Sequence, residues 1–319
     1  MAMPSNTFAT YEAIGNREDL SDEIFRIDPT DTPFFTMCEK VKASAVNHEW
    51  QTQALDSRDT GNAVLEGDDA TTDATVPTVR LGNICQISDK VARVSGTQQA
   101  VEHAGRGDEM GYQKMLKGLA LKLDIDAILC GTNQAKIVGD DATARKTASV
   151  LSWLKTNTSK GTGTAADPAA ANGTGARTDG TQVAFTEARL KTVLQSCWTN
   201  GGKPNIIMCG GFNKQQFSTF TGRSTPMEDA RSKKIVASVD VYESDFGVLK
   251  VAPSRQVRPR DVLVLQDDMW AVAHLNGRKM VAVPLAKTGD SERAQLLSEY
   301  ALEARNEKAS GGVFDNTVA

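Results

Sequence analysis

From Ser44 to Leu55 the chain alternates, with Val46, His48 and Trp50 on one side and Asn47, Glu49 and Gln51 on the other, the two-residue period of a strand. A second run, Thr78 to Gly96, again reads extended, and the two together predict a long hairpin. The period then changes. From Asp108 to Cys130 apolar residues recur at helical spacing: Tyr112, Met115, Leu116, Leu119 and Leu123 share one face, and Leu121, Ile125, Ile128 and Leu129 widen it toward the end. Asp108 is the expected N-cap, Glu109 sits at the positive end of the dipole and Gly131 stops the helix. At 1.5 Å per residue this spine would run roughly 35 Å.

Downstream, Thr186 caps a predicted helix whose apolar side carries Ala188, Leu190, Val193, Leu194 and Cys197, ended by Gly201 and Gly202. Ile206 to Cys209 reads as a short buried strand, and a further helix follows Gly210 and Gly211 through Gln215, Phe217 and Phe220, so this part predicts a small α/β unit. The runs 237–254 and 261–275 each predict two strands joined by a short turn. Near the end, Tyr300, Leu302 and Ala304 alternate with Glu299, Glu303 and Arg305, the pattern of a half-buried strand.

Three stretches depart from these periods. In RIDPTDTPFFT, Arg26 to Thr36, Pro29 and Pro33 push the chain toward extended geometry, predicting an arm whose Phe34 and Phe35 need a surface, either the protein's own core or a neighbour. The hairpin tip, Asp56 to Thr75, holds Asp56, Asp59, Glu66, Asp68, Asp69 and Asp73 against the single base Arg58. An isolated hairpin is marginal in water, so the tip is either a flexible acidic loop on a larger sheet or an arm that docks on a neighbouring subunit. From Thr156 to Gln182 no apolar side chain exceeds alanine, which predicts a mobile loop or linker.

Composition narrows the function classes. The 319 residues suffice for one large or two moderate domains, and with aromatics at 6% the core is mostly aliphatic. A net charge of −4 and a pI near 5.6 give no global electrostatic reason to bind nucleic acid. No apolar run approaches the ~18 residues of a membrane span and the N-terminus lacks signal-peptide regions, so the chain is expected to fold in a cytoplasm. Five scattered cysteines, Cys38, Cys85, Cys130, Cys197 and Cys209, form no CxxC pair and read as buried small hydrophobes. His48, His103 and His274 belong to no HExxH or other paired ligand spacing, and no GxSxG is present. Asp245-Phe246-Gly247 reads as a hairpin turn, and Gly210-Gly211-Phe212 is not GxGxxG. No catalytic, cofactor or metal residue is assigned.

The order of parts, with DPTDTPFF in the arm, GRGDE before the spine, GGKPNIIMCGG in the α/β unit, YESDFGVLKV, and a terminal EYALEARNEKASG, resembles the major capsid proteins of tailed bacteriophages with the HK97-like fold. The resemblance covers about Tyr11 to Phe314. It implies an α+β fold: an N-terminal arm over 1–44, an extended hairpin loop reaching an adjacent subunit over 45–95, and a peripheral domain with the spine helix over 96–155. A flexible Gly/Ala/Thr loop over 156–183, an axial domain over 184–285 and a return to the peripheral domain over 286–319 complete the expected division.

The resemblance implies a structural protein that self-assembles, as hexamers and pentamers, into an icosahedral shell around phage double-stranded DNA, assembled in the host bacterial cytoplasm. The DNA would be contacted non-specifically and no membrane is involved. Expected partners are a portal protein, a decoration protein in some shells, and a separate scaffolding protein, because little precedes Tyr11 unless a leader has been removed. Phe34, Phe35 and Trp50 are expected at subunit contacts. Lys214 to Arg260 carries nine Lys or Arg against five Asp or Glu, so the tip acids Asp56, Asp59, Glu66, Asp68 and Asp69 are expected near Arg255, Arg258 or Arg260 of another subunit. Two other readings stand beside this one: a different phage structural component, such as a tail or decoration protein, and a nucleotide-binding α/β enzyme using the Gly210-Gly211 turn.

Overall fold

The computed structural model describes residues 27–69, 75–220 and 240–318. The first 26 residues of the expected arm, Asp73 of the tip and the basic residues within 221–239 lie outside these ranges.

Among the described residues the strands form two sheets and a separate hairpin. The first sheet joins β1 (Glu39–Ala43), β10 (Trp270–Leu275), β12 (Ser291–Ala304) and β11 (Val281–Leu285) in that order, with β4 (Gln86–Ser95) also paired along β12. The second runs β5 (Thr158–Ser159), β13 (Gly311–Val313), β9 (Val262–Leu265), β6 (Ile206–Cys209), β8 (Gly247–Pro253) and β7 (Val241–Ser244). The hairpin pairs β2 (Asn47–Thr52) with β3 (Val79–Ile84). Among the described residues there are also six α-helices: α1 (Pro33–Met37), α2 (Gly96–Ala100), α3 (Glu109–Cys130), α4 (Val150–Trp153), α5 (Glu187–Thr199) and α6 (Gly211–Ser218).

The spine forms as predicted, with the Asp108 side chain accepting from the Met110 N–H. Its C-cap Gly131 has an ordinary φ of −102°, so the glycine is required by space rather than by conformation: a Cβ there would lie 2.0 Å from the Gln256 carbonyl oxygen. The buried face differs from the main one predicted. Leu121, Ile125 and Leu129 are fully buried, while Met115 stays 47% exposed. The helix is apolar over most of its circumference, so periodicity alone does not select the side that the sheet covers.

Four other expectations change. Pro33 starts the helical turn α1 instead of extending the arm, because proline is suited to the first helical position, where its missing N–H costs nothing. Segment 156–182 is ordered, not a linker: Thr162 pairs with Thr181 and Ala166 with Thr178, and β5 joins β13. Its order comes from polar groups bonding one another, above all the buried Arg177, which reaches Asp167 (2.6 Å) and the Leu154 carbonyl (2.7 Å) and lies 3.6 Å from the Phe314 ring. Strands β9 and β10 do not form a hairpin but enter different sheets, linking the two. Finally, the second half of β12, from Ser298 to Ala304, is buried on both faces, Glu299 and Glu303 included, and its acids are neutralised inside the chain. Arg145 (2.8 Å) and Arg278 (2.6 Å) hold Glu299.

Candidate assembly surfaces

The arm is fastened to its own subunit. Phe34 is fully buried and Phe35 9% exposed, Phe34 meeting Trp270 edge-on at 6.4 Å. Thr32 makes no side-chain cap for α1; instead Asp126, buried on the spine, accepts from the N–H groups of Phe35 (2.6 Å) and Phe34. A carboxylate there substitutes for the missing cap and ties arm to spine. Burial pushes Asp126 up to about 6, despite those two N–H groups and nearby Lys40. Lys40 sits 3.9 Å from the Phe35 ring centre and donates to the Phe35 and Cys38 carbonyls. On the other side of Phe35, His274 is held down to about 4 by burial, with Lys279 and Lys40 adding to the effect.

The hairpin root is equally fixed. Trp50 packs against Trp153 with ring centres 5.4 Å apart and planes inclined by 43°, and its indole N–H donates to the Ala304 carbonyl at 3.0 Å. His48 bonds Glu303 at 2.9 Å, and Asn83 donates to the carbonyls of Leu302 and Ala148. Burial raises the Glu303 carboxyl, but the bonds from His48 and Arg305 outweigh it and leave its pKa below the usual range. Trp50 therefore works inside the subunit, at the base of the hairpin.

Beyond that root every described residue from Gln53 to Asp69 is exposed. Asp56, Asp59, Glu66, Asp68 and Asp69 lie there together with three exposed apolar side chains, Leu55 (96%), Val64 (82%) and Leu65 (78%). Sequence reasoning weighed the acids and passed over these three, although two of them are adjacent within an otherwise polar run.

The expected basic partners separate into two kinds. Arg258 and Arg260 are taken up inside the chain: Arg258 meets Asp179 (2.5 Å) and Asp261 (3.3 Å), and Arg260 meets Asp315 (2.7 Å) and Asp179 (3.3 Å). They tie segment 156–182 and the C-terminal stretch to the loop before β9 in the second sheet. Arg255 remains at the surface, 3.1 Å from Asp31.

A different, largely apolar surface is exposed. In β4, even-numbered residues face the spine, as the Lys90 to Asp124 pair shows. The register places Ile87, Asp89, Val91 and Arg93 on the opposite face, beside Leu297, Gln295 and Arg293 of β12 and Val281, Val283 and Leu285 of β11, with Gln295 donating to Asp89 at 2.6 Å. Ile87 and Val91 are each 45% exposed and Val283 41%. This bare, apolar, arginine-edged sheet face was missed from sequence because no local period reports which strands become neighbours.

Among the described residues no group of three or more His, Cys, Asp or Glu could hold a metal ion, and no helix is long and apolar enough to cross a membrane. The Gly210-Gly211 turn leads into α6, where Asn213 donates to the Pro259 carbonyl at 2.6 Å. All five cysteines are buried, and burial pushes Cys85 and Cys209 up to about 11.

Comparison with known proteins is consistent along the whole chain. The family model described as SU10 major capsid protein matches residues 3–317. The major capsid protein of Escherichia phage Phieco32 is 29% identical, the match covering 98% of each chain. In structure the chain is similar to the cyanophage A-1(L) capsid asymmetric unit (TM-score 0.64, 14% identity, 97% of this chain and 98% of that one). It is likewise similar to the capsid of a native GTA particle (TM-score 0.66, 9% identity, 97% and 98%).

Proposed function

The chain belongs to the SU10 major capsid protein family and has the HK97-like fold of a phage shell subunit; from that premise we propose that its copies close into an icosahedral shell of hexamers and pentamers around double-stranded DNA, interlocked by the hairpin tip. The tip of one copy lies on the bare sheet face of another, Leu55, Val64 and Leu65 against Ile87, Val91 and Val283, with the acids of the tip beside Arg93 and Arg293. Arg255, of the three arginines first expected there, is the one still at the surface. The observation that carries this reading is the pairing of a rigid root with a fully exposed, partly apolar tip. Such side chains contribute no burial energy in the isolated subunit and gain roughly 1.5–3 kcal/mol each when fully covered. Repeated at every subunit, modest contacts suffice for a stable shell.

The same premise supports assembly in the host cytoplasm with a portal and a separate scaffolding protein. A decoration protein fits as well, since a solved structure of similar fold is described as phage G gp27 major capsid proteins with gp26 decoration proteins (TM-score 0.52). The test is expression of the chain alone with negative-stain microscopy and sedimentation. Wild type is expected to give closed shells or capsomer rings, and the triple variant Leu55→Asn, Val64→Asn, Leu65→Asn a folded subunit with an unchanged melt that forms no shells. Normal shells from the triple variant would sink the tip contact.

A further inference from the structure

The chain contains three Asn–Gly pairs, Asn172-Gly173, Asn200-Gly201 and Asn276-Gly277, and the fold restrains them unequally. In such a pair the glycine nitrogen lies within reach of the asparagine side-chain carbonyl carbon, with no side chain on the glycine to hinder it. Whether the two atoms meet depends on how firmly the amide and the peptide are held. Asn172 accepts from the Thr174 N–H at 3.1 Å and from the Thr174 hydroxyl at 2.6 Å, and Gly173 is buried with its carbonyl taken by the Lys136 N–H. A Cβ on Gly173 would lie 2.8 Å from the Ala148 Cβ, so this pair has no room to turn. The Asn200 amide donates to the Asn157 side chain at 2.8 Å and to the Ser196 carbonyl at 2.9 Å, and the Gly201 N–H is held by the Trp198 carbonyl at 3.0 Å. Asn276-Gly277 carries none of these restraints. It forms the turn after β10, closed by one bond from the Arg278 N–H to the Leu275 carbonyl at 3.0 Å, and both of its residues are exposed. Gly277 has a φ of +73°, and no atom lies within 4 Å of the place a Cβ would take. Neither the Asn276 side-chain amide nor the Gly277 N–H has a hydrogen-bond partner among the described residues.

We propose that Asn276 is a modification site, where the folded chain deamidates itself through the Gly277 nitrogen. That nitrogen attacks the Asn276 side-chain carbonyl carbon, closing a succinimide ring. The bond from that carbon to the amide nitrogen breaks, and ammonia leaves with the proton that the Gly277 nitrogen gives up. Water then adds to either imide carbonyl and opens the ring: one opening leaves an aspartate, the other an isoaspartate whose backbone runs through the former side chain. Nothing is oxidised or reduced, and water is the sole co-reactant. Either product sets a new carboxylate beside Arg278 and Lys279. The turn is anchored on both sides, by the Asn276 N–H on the Ala43 carbonyl at 3.1 Å and by Arg278, whose carbonyl accepts from the Glu299 N–H at 3.0 Å and whose guanidinium holds the buried Glu299 carboxylate at 2.6 Å. The isoaspartate lengthens the backbone between those anchors, and the new carboxylate competes with Glu299 for Arg278, leaving Arg145 as the partner of Glu299 that is not disturbed. The site is independent of assembly and is read on the unassembled subunit.

The test is to hold the full chain, folded and in urea, at mildly alkaline pH and to follow all three pairs over days by peptide mapping with mass spectrometry. Isoaspartate is scored separately with an isoaspartyl methyltransferase and labelled S-adenosylmethionine. In the folded chain Asn276 is expected to convert about tenfold faster or more than Asn172 and Asn200, and faster still as pH rises, because the attacking nitrogen must lose its proton. In urea the three rates are expected to converge, since each asparagine is followed by glycine. Asn276→Gln, which would have to close a larger ring, should remove the methyl-accepting signal from that peptide and leave the melt of the fresh protein unchanged. An Asn276 that stays intact in the folded chain, or that converts no faster than Asn172 or Asn200, overturns the proposal. A spread of rates that persists in urea overturns it as well, because the fold would then not be its cause.

Discussion

Replacing Phe34 with alanine asks whether the N-terminal arm belongs to the subunit or to the shell. Phe34 is fully buried against the chain's own spine and sheet, edge-on to Trp270, and the next residue's N–H is fixed by Asp126. Truncation removes the transfer free energy of the ring and leaves a cavity that the spine and β10 cannot collapse into, a cost of about 3–5 kcal/mol. The loss applies to the unassembled subunit, because every neighbour of the ring comes from the same chain. Urea unfolding of dilute, unassembled protein is the assay. With a slope of several kcal/mol per molar for a chain of this size, the midpoint should fall by about 1 M. If the unassembled variant unfolds with the wild-type midpoint while its shells come apart at lower temperature, the arm docks only on assembly and the reasoning is wrong.

Three further outcomes are expected. Burial holds the Asp126 carboxyl up at about 6 in the folded chain, so folding favours its protonated form: its share of stability is full below about pH 4 and lost as pH rises through 6. Asp126→Asn should remove that loss and, at pH 7 to 8, be more stable than wild type by up to about 3 kcal/mol, whereas Asp126→Ala, which strands two N–H groups, should be less stable. The comparison is read as the wild-type minus variant difference across pH 4 to 8, which cancels the titrations of Asp261 and His274. Gly131→Ala drives a Cβ to within 2.0 Å of the Gln256 carbonyl and should cost more than about 3 kcal/mol, read as loss of soluble protein or a clearly lowered melt. Arg177→Lys forfeits the Leu154 bond and the flat contact on Phe314, so it should lower unfolding stability by about 2–3 kcal/mol and speed proteolysis within 156–182; a wild-type cleavage rate would refute the ordering role of Arg177.

Elements whose signal is local were legible in the chain itself. Asp108 and Gly131 delimit the spine because cap chemistry acts within one turn, and the β7–β8 hairpin follows from short alternation around a glycine turn. The paired prolines announced an interruption near Phe34, though not that Pro33 would open a helical turn with Asp126, 91 residues beyond Phe35, as its cap. Long-range pairing decided the rest. Order in 156–182 depends on an arginine whose partners come from that segment, α4 and the C-terminal stretch, so composition alone read it as a linker. Arg258 and Arg260 counted as surface charge until the fold brought Asp179 and Asp315 to them. The tip acids and their exposure could be read from sequence, since a polar run buries nothing by itself. Which apolar, arginine-edged face stands open followed only from the register of β4, β12 and β11, because the face a strand presents to solvent is chosen by its neighbours in the sheet and not by its own sequence.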